Sequence, residues 1–174
     1  MEFNDLIRTR ESIRSYDPSS LVPEDVLNRI LEAGRVALSA ANRQPWKFLL
    51  ISSPAMLEKV RPCYNRDWFR DAPHILVVVG LKDHAWTRSF DGYNSVETDA
   101  AIAMTHMILA AENEGVGACW IANYDPIMLT KALRDVISPG QVIFGITPLG
   151  YARPEFLKSG TKKRKEFSEV VQYI

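Results

Sequence analysis

The chain carries no surplus of charge of either sign: 21 Lys+Arg stand against 21 Asp+Glu over 174 residues. A bulk nucleic-acid binder is normally clearly basic, so that class is excluded. Cysteine is scarce, with only Cys63 and Cys119, far apart and in no CxxC pattern. Neither a disulfide framework nor a cysteine metal site follows from such a pair. The histidines His74, His84 and His106 are scattered, form no HExxH and have no partner at ligand spacing, so no metal is expected. The longest apolar run, Ile75 to Leu81, is far short of the ~20 residues of a membrane span. Met1 to Arg14 mixes acids and bases, and no apolar stretch of a signal sequence follows. The expectation is a cytoplasmic globular protein with no nucleic-acid and no membrane partner. Both GxSxG and GxxxxGK[ST] are missing. Gly115-Val-Gly117 begins a GxGxxG, but Trp120 takes the third glycine position, where a ring would block the backbone's approach to a pyrophosphate.

What is present is a core. Apolar residues make up 47% of the chain, and the length suits one domain or a subunit that shares a core with a partner. Phe3, Leu6 and Ile7 predict a short amphipathic helix over 2–10. Pro23-Glu24-Asp25 reads as a first helical turn, and Val26, Leu27, Ile30, Leu31 and Leu38 carry the helix to about residue 38. Strands are expected at Trp46 to Ser52, Ile75 to Leu81, Ala118 to Ile121 and Val142 to Thr147, the second apolar on both faces and hence central. Helices are expected at 55–61, at 96–114 as a long buried element, and at Pro126 to Ile137, with 82–95 a loop or partial helix. From Gly150 onward the pattern changes. Lys158 to Lys165 carries five cations and no acid, and Val170, Val171, Tyr173 and Ile174 then return apolar side chains. Such an end needs a surface to dock on, either the chain's own sheet or a second subunit. No repeat or linker divides the chain.

Four segments could carry chemistry. In Arg10-Glu11-Ser12-Ile13-Arg14, alternation places Arg10, Ser12 and Arg14 on one side, and two guanidiniums flanking a hydroxyl suit a phosphate. In Ser39-Ala40-Ala41-Asn42-Arg43-Gln44-Pro45-Trp46, small residues permit close backbone approach, and Asn42 and Gln44 offer both donor and acceptor. In Gly115 to Asn123, glycines end the buried helix and a short strand leads to backbone that could face a ligand. Cys119 and Trp120 there read as core, because nothing near them in sequence would lower a thiol pKa. The fourth segment is the basic run Lys162-Lys163-Arg164-Lys165. Taken singly, each also reads as ordinary surface or turn.

The order RxSxR, SxxNxQPW, GxGxCWI and a late KxR resembles the FMN-dependent nitroreductase family over nearly the whole chain. The resemblance implies an α+β, three-layer α-β-α fold: a mainly antiparallel central sheet flanked by helices. Residues 1–174 form a single domain in it, with 150–174 a tail that wraps the partner of a homodimer. It implies FMN at the interface, NADH or NADPH as donor, and a small-molecule acceptor such as a nitroaromatic or quinone, reduced by a ping-pong mechanism. A related flavoenzyme reaction (dehalogenation, dehydrogenation or oxidation) and a non-catalytic flavin-binding module remain alternatives. By similarity, Arg10, Glu11, Ser12, Lys162 and Arg164 fall in the phosphate segments, Arg14 lies near flavin N1 and O2, and Asn65 meets the pyrimidine edge. Ala122 and Asn123 present backbone to N5, and Ser39, Ala40, Asn42 and Gln44 form the loop contributed by the other subunit. Asp99 to Gly115 resembles the family's dimer helix. Tyr64, Trp68, Phe69, Phe90 and Tyr93 are candidates for the substrate pocket wall; no catalytic side chain and no metal is implied. The sequence departs from the family at Leu38 and Ala40, where Pro and Ser are more usual, and at Glu11, where a basic or neutral residue is more frequent. Lys82 to Val96 leaves little room for the helical excursion of larger members.

Overall fold

A computed structural model describes residues 1–160 and 162–174. Four strands form one antiparallel sheet in the order β1-β2-β4-β3: β1 Trp46–Ile51, β2 His74–Leu81, β3 Gly117–Ala118 and β4 Gln141–Gly150. Trp46 pairs with Gly80 and Ile51 with Ile75, while His74 pairs with Leu149 across the β2–β4 ladder, which carries a bulge at Val78/Val79. The helices are α1 Phe3–Thr9, α2 Glu24–Arg35, α3 Pro54–Val60, α4 Asp67–Arg70, α5 Val96–Asn113, α6 Pro126–Ala132 and α7 Phe167–Val170.

Because side chains alternate along a strand, β2 feeds two cores. Leu76 and Val78 pack with α2 and α5 on one face; Ile75, Val77 and Val79 pack with α3, α4 and α6 on the other. The result is the three-layer α-β-α arrangement that the resemblance implied, with antiparallel pairing throughout. Gly34 lets α2 lie close on α5: a Cβ there would sit 2.7 Å from Met107 Cγ. Among the described residues no helix is long and apolar enough to cross a membrane.

Four expected boundaries move by three residues or more, the first being the end of β4, which runs on from Thr147 to Gly150. The second helix ends at Arg35, not near 38, because Val36 (φ −88°, ψ 3°) begins the turn into the next loop. The helix at Pro126 stops at Ala132, where Leu133 leaves helical geometry (φ −104°, ψ 10°). The strand expected at Ala118 to Ile121 shrinks to Gly117–Ala118 plus one bridge, Ile121 to Ile146, because Cys119 N–H turns to the Thr147 hydroxyl at 3.2 Å.

His74, at the start of β2, is buried, with Nδ1 2.7 Å from Ser52 Oγ and Nε2 buried without a partner among the described residues. Burial disfavours its charged form and pushes its pKa below the usual 6.5. Below that value the unfolded chain takes up a proton that the folded chain refuses, so stability is lost as pH falls from there. Urea titrations between pH 7.5 and 5 should show this decline, at most about 1.4 kcal/mol per pH unit, and His74→Gln should flatten it.

Candidate functional site

The N-terminal segment leaves α1 in extended geometry at Arg10 (φ −55°, ψ 124°). Ile13 anchors it: the side chain is buried, and the N–H donates to the Ala118 carbonyl at 3.0 Å. Gly117 makes room, since a Cβ there would stand 2.9 Å from Ile13 Cγ2. Buried Tyr16 fixes the far end by donating its hydroxyl to the Ile13 carbonyl at 2.8 Å. With Ile13 inward, Arg10 and Ser12 remain half-exposed and Arg14 exposed. Ser12 and Arg14 approach the Cys119 thiol, which burial still holds above its ordinary pKa, so the thiol stays protonated.

The C-terminal segment returns to this strip. Lys158 pairs with buried Glu112, and Lys162 Nζ donates to the Arg8 carbonyl at 3.2 Å. Burial, and then the neighbouring cations Arg10 and Arg164, lower the Lys162 pKa, with Glu11 and Glu112 opposing. Like charges have therefore been brought together from opposite ends of the chain. Among the described residues no ion pair involves Arg10, Arg14, Lys162 or Arg164. Glu11 does not face the cluster as a ligand would: its carboxylate is taken up by Ser159 and Gly160.

The loop after α2 is held in unusual geometry. Ala41 (φ 50°), Asn42 (φ 52°) and Gln44 (φ 50°) occupy the left-handed region, which costs non-glycine residues energy and persists only where surroundings enforce it. Ser39 Oγ accepts the Gln44 N–H at 2.9 Å, and Asp99 Oδ1 accepts the Ala40 N–H at 2.9 Å. Asp99 is itself 1% exposed, and its other oxygen accepts the Ser95 hydroxyl at 2.7 Å. The loop so fixed presents Asn42 and Gln44 to solvent. Asp99 was assigned in sequence only to the long helix. An acid inside an otherwise apolar helical face is the signal that marks it.

The remaining candidates divide. Ala122 and Asn123 are exposed just past the Ile121 bridge; Trp120 beside them is exposed too, so of the pair expected as core only Cys119 is buried. Asn65 is exposed, its carbonyl accepting from Arg70 at 3.0 Å. Tyr64 and Trp68 stack edge-on, with ring centroids 5.6 Å apart, and Trp68 reaches Tyr16 under the N-terminal strip. Phe69 is fully buried between the sheet and its helices, so it is core and not pocket wall, a correction to the expectation above. Phe90 and Tyr93 lie in a short turn bridged by Thr87 and Asn94, where Tyr93 takes the Arg88 guanidinium on its face. That turn follows the C-terminal end of β2, whereas Tyr64 and Trp68 precede its start, so within one chain the aromatics do not form a single wall.

Among the described residues, a hollow of about 60 Å³ lies beside Ile13, Gly117 and Lys158, whereas sites for cofactor-sized ligands enclose about 300–1,000 Å³. Grooves of about 430 Å³ between Lys59 and Arg134, and about 450 Å³ beside Leu31 and Phe48, lie away from the cationic strip. One chain therefore presents an open site: a cluster of cations suited to an anion, with exposed surfaces beside it.

A family model described as the nitroreductase family matches residues 7–63 and 55–151 of the chain. A protein of Methanothermobacter thermautotrophicus named for NADH dehydrogenase/NAD(P)H nitroreductase is 32% identical over 154 residues, covering 87% of this chain and 78% of its own. The crystal structure of a nitroreductase family protein from Clostridium difficile 630 superposes with a TM-score of 0.90 at 29% identity, covering 99% of this chain and 98% of the other. A nitroreductase from Bacteroides fragilis NCTC 9343, solved with bound FMN, shares the fold at 23% identity and a TM-score of 0.76, covering 100% and 99%.

Proposed function

Because this chain belongs to the nitroreductase family, we propose that it is a homodimeric, FMN-dependent NAD(P)H oxidoreductase that reduces nitroaromatic, quinone or similar conjugated acceptors. The observation that carries the cofactor assignment is the meeting of Lys162 with Arg10 and Arg164, none of which forms an ion pair among the described residues, on the strip that also carries Ser12. A phosphate monoester brings close to two negative charges and several acceptor oxygens, and guanidiniums with a hydroxyl match that donor demand. The residues present thus fit the cofactor at its phosphate end. FMN bound there would supply the redox chemistry by which two electrons pass from NADH or NADPH to the acceptor in a ping-pong cycle.

The chain's own residues bind and orient. Arg10, Ser12, Lys162 and Arg164 would hold the phosphate. Arg14 would lower the cost of negative charge at the pyrimidine edge of the ring. Asn65 would offer an amide to the same edge, and backbone at Ala122 and Asn123 would lie toward the ring. The loop Ser39–Gln44, presenting Asn42 and Gln44, would cover the flavin held mainly by the other subunit. Tyr64, Trp68, Phe90 and Tyr93 contribute apolar surface where the acceptor enters.

Two features support the second copy. The site of one chain is uncovered. Along α5, Ile102, His106 and Leu109 form a half-exposed row at helical spacing, opposite the face that packs on the sheet.

Purified protein should be yellow, with about one FMN per chain as this stoichiometry requires. Anaerobic mixing with NADH or NADPH should bleach the flavin, and an acceptor panel should restore the colour. Colourless protein that takes up no added FMN would refute the cofactor assignment. Flavin that neither nicotinamide bleaches would refute the donor.

A further inference from the structure

Glu11 stands beside a site suited to an anion, where its own charge opposes the ligand. Its carboxylate meets one bend of the C-terminal segment: it accepts the Ser159 N–H at 3.1 Å, the Gly160 N–H at 2.9 Å and the Ser159 hydroxyl at 2.7 Å. Gly160 sits at φ +67°, a left-handed conformation that glycine adopts freely, and the bend thereby offers successive N–H groups to one acceptor. These donors keep the carboxyl below its ordinary pKa, so it is ionised throughout the neutral range. Lys158, just before the bend, pairs with Glu112; Lys162, just after it, reaches the Arg8 carbonyl.

We propose that Glu11 is a positioning residue: by taking up the donors of the Ser159–Gly160 bend it sets Lys162 and Arg164 beside Arg10, so that the phosphate site is assembled before the phosphate arrives. This rests on the FMN reading above. It also accounts for an acid where the family more often has a basic or neutral residue.

Two effects of opposite sign meet at this side chain. As a charge, Glu11 repels phosphate, and its loss would tighten binding. As a tie, it holds a basic segment against cations that push it away, and its loss would loosen binding. Lys162 is crowded by Arg10 and Arg164, which after burial lower its pKa. Without the tie, only the Lys158–Glu112 pair and the Lys162 contact with the Arg8 carbonyl hold the segment against those cations, so the positional effect is the larger.

The test compares FMN with riboflavin, which lacks the phosphate. Glu11→Ala should raise the FMN dissociation constant about tenfold, the scale of one lost charge-assisted contact, and leave riboflavin affinity unchanged. Glu11→Gln, with the same reach and one acceptor oxygen retained, should recover most of the loss. In flavin-free protein, amide hydrogen exchange at Ser159 and Gly160 should accelerate in Glu11→Ala. An FMN affinity that is unchanged or tighter, an equal loss for riboflavin, or unaltered exchange would each overturn the proposal. Wild-type protein that binds neither flavin would refute the FMN reading, while the exchange measurement still decides whether Glu11 holds the bend.

Discussion

Arg10→Ala is expected to lower FMN affinity about a hundredfold, as one bidentate guanidinium–phosphate contact is worth. Three observations set that size. Arg10 is half-buried, so its charge is screened less than a surface charge. No ion pair among the described residues competes for its guanidinium. Its backbone is fixed by α1 on one side and by Ile13 on the other, so little is spent on ordering it. Lys163→Ala supplies the comparison. Lys163 belongs to the same basic run but is exposed, and its loss should change affinity by no more than about twofold, as for a surface charge. Fluorescence titration of flavin-free protein with FMN, at two salt concentrations, measures both. Equal effects for the two variants would mean that the run acts as a diffuse field, with no Arg10-centred site. Thermal unfolding of Arg10→Ala should stay near wild type, since the side chain takes no part in either core.

Much of the architecture was legible because it rests on periodicity. Ile75 to Leu81 is apolar on both faces, and β2 is the strand with a core on each side. The buried helix from 96 to 114 is α5, Val96–Asn113. Boundaries failed where a turn or a side-chain hydrogen bond outcompeted the regular pattern, as at Val36, Leu133 and the Cys119–Thr147 contact. At Val36 and Leu133 the apolar spacing runs on past a turn whose hydrogen bonds are local; at Cys119 the competitor, the Thr147 hydroxyl, lies 28 residues away and is invisible to local spacing. The same holds at the site. The two basic segments announce themselves by composition, and the fold brings Lys162 beside Arg10. Local spacing could not reveal that Asp99 would reach back 59 residues to the Ala40 N–H, or that Glu11 would bond Ser159 across 148 residues. Phe69 shows the converse error. An aromatic near the site was read as wall, whereas the apolar positions around it make it core.

Deleting residues 166–174 should dissociate the dimer and release the flavin. Within a single chain this end is almost unsupported: Phe167 and Val170 are more than 60% exposed, and Tyr173 and Ile174 more than 80%. A capping box between Glu166 and Glu169 nonetheless shapes α7, so the end is built to be ordered. Large apolar side chains gathered in so short a stretch are not normally left in water. Covering them on a partner contributes about 1.5–3 kcal/mol per side chain at full burial, counted twice in a two-fold dimer. Even a fraction of that total weakens association by at least about a thousandfold. In the proposed dimer the flavin would follow, because the loop Ser39–Gln44 would cover it from the other subunit. Sedimentation of the wild-type and truncated chains, each with FMN absorbance monitored, separates the outcomes. A truncated chain that remains a dimer and keeps its FMN would show that the tail folds back on its own subunit. A truncated chain that dissociates yet keeps its FMN would show that one chain suffices to enclose the cofactor, against a site completed by the second subunit.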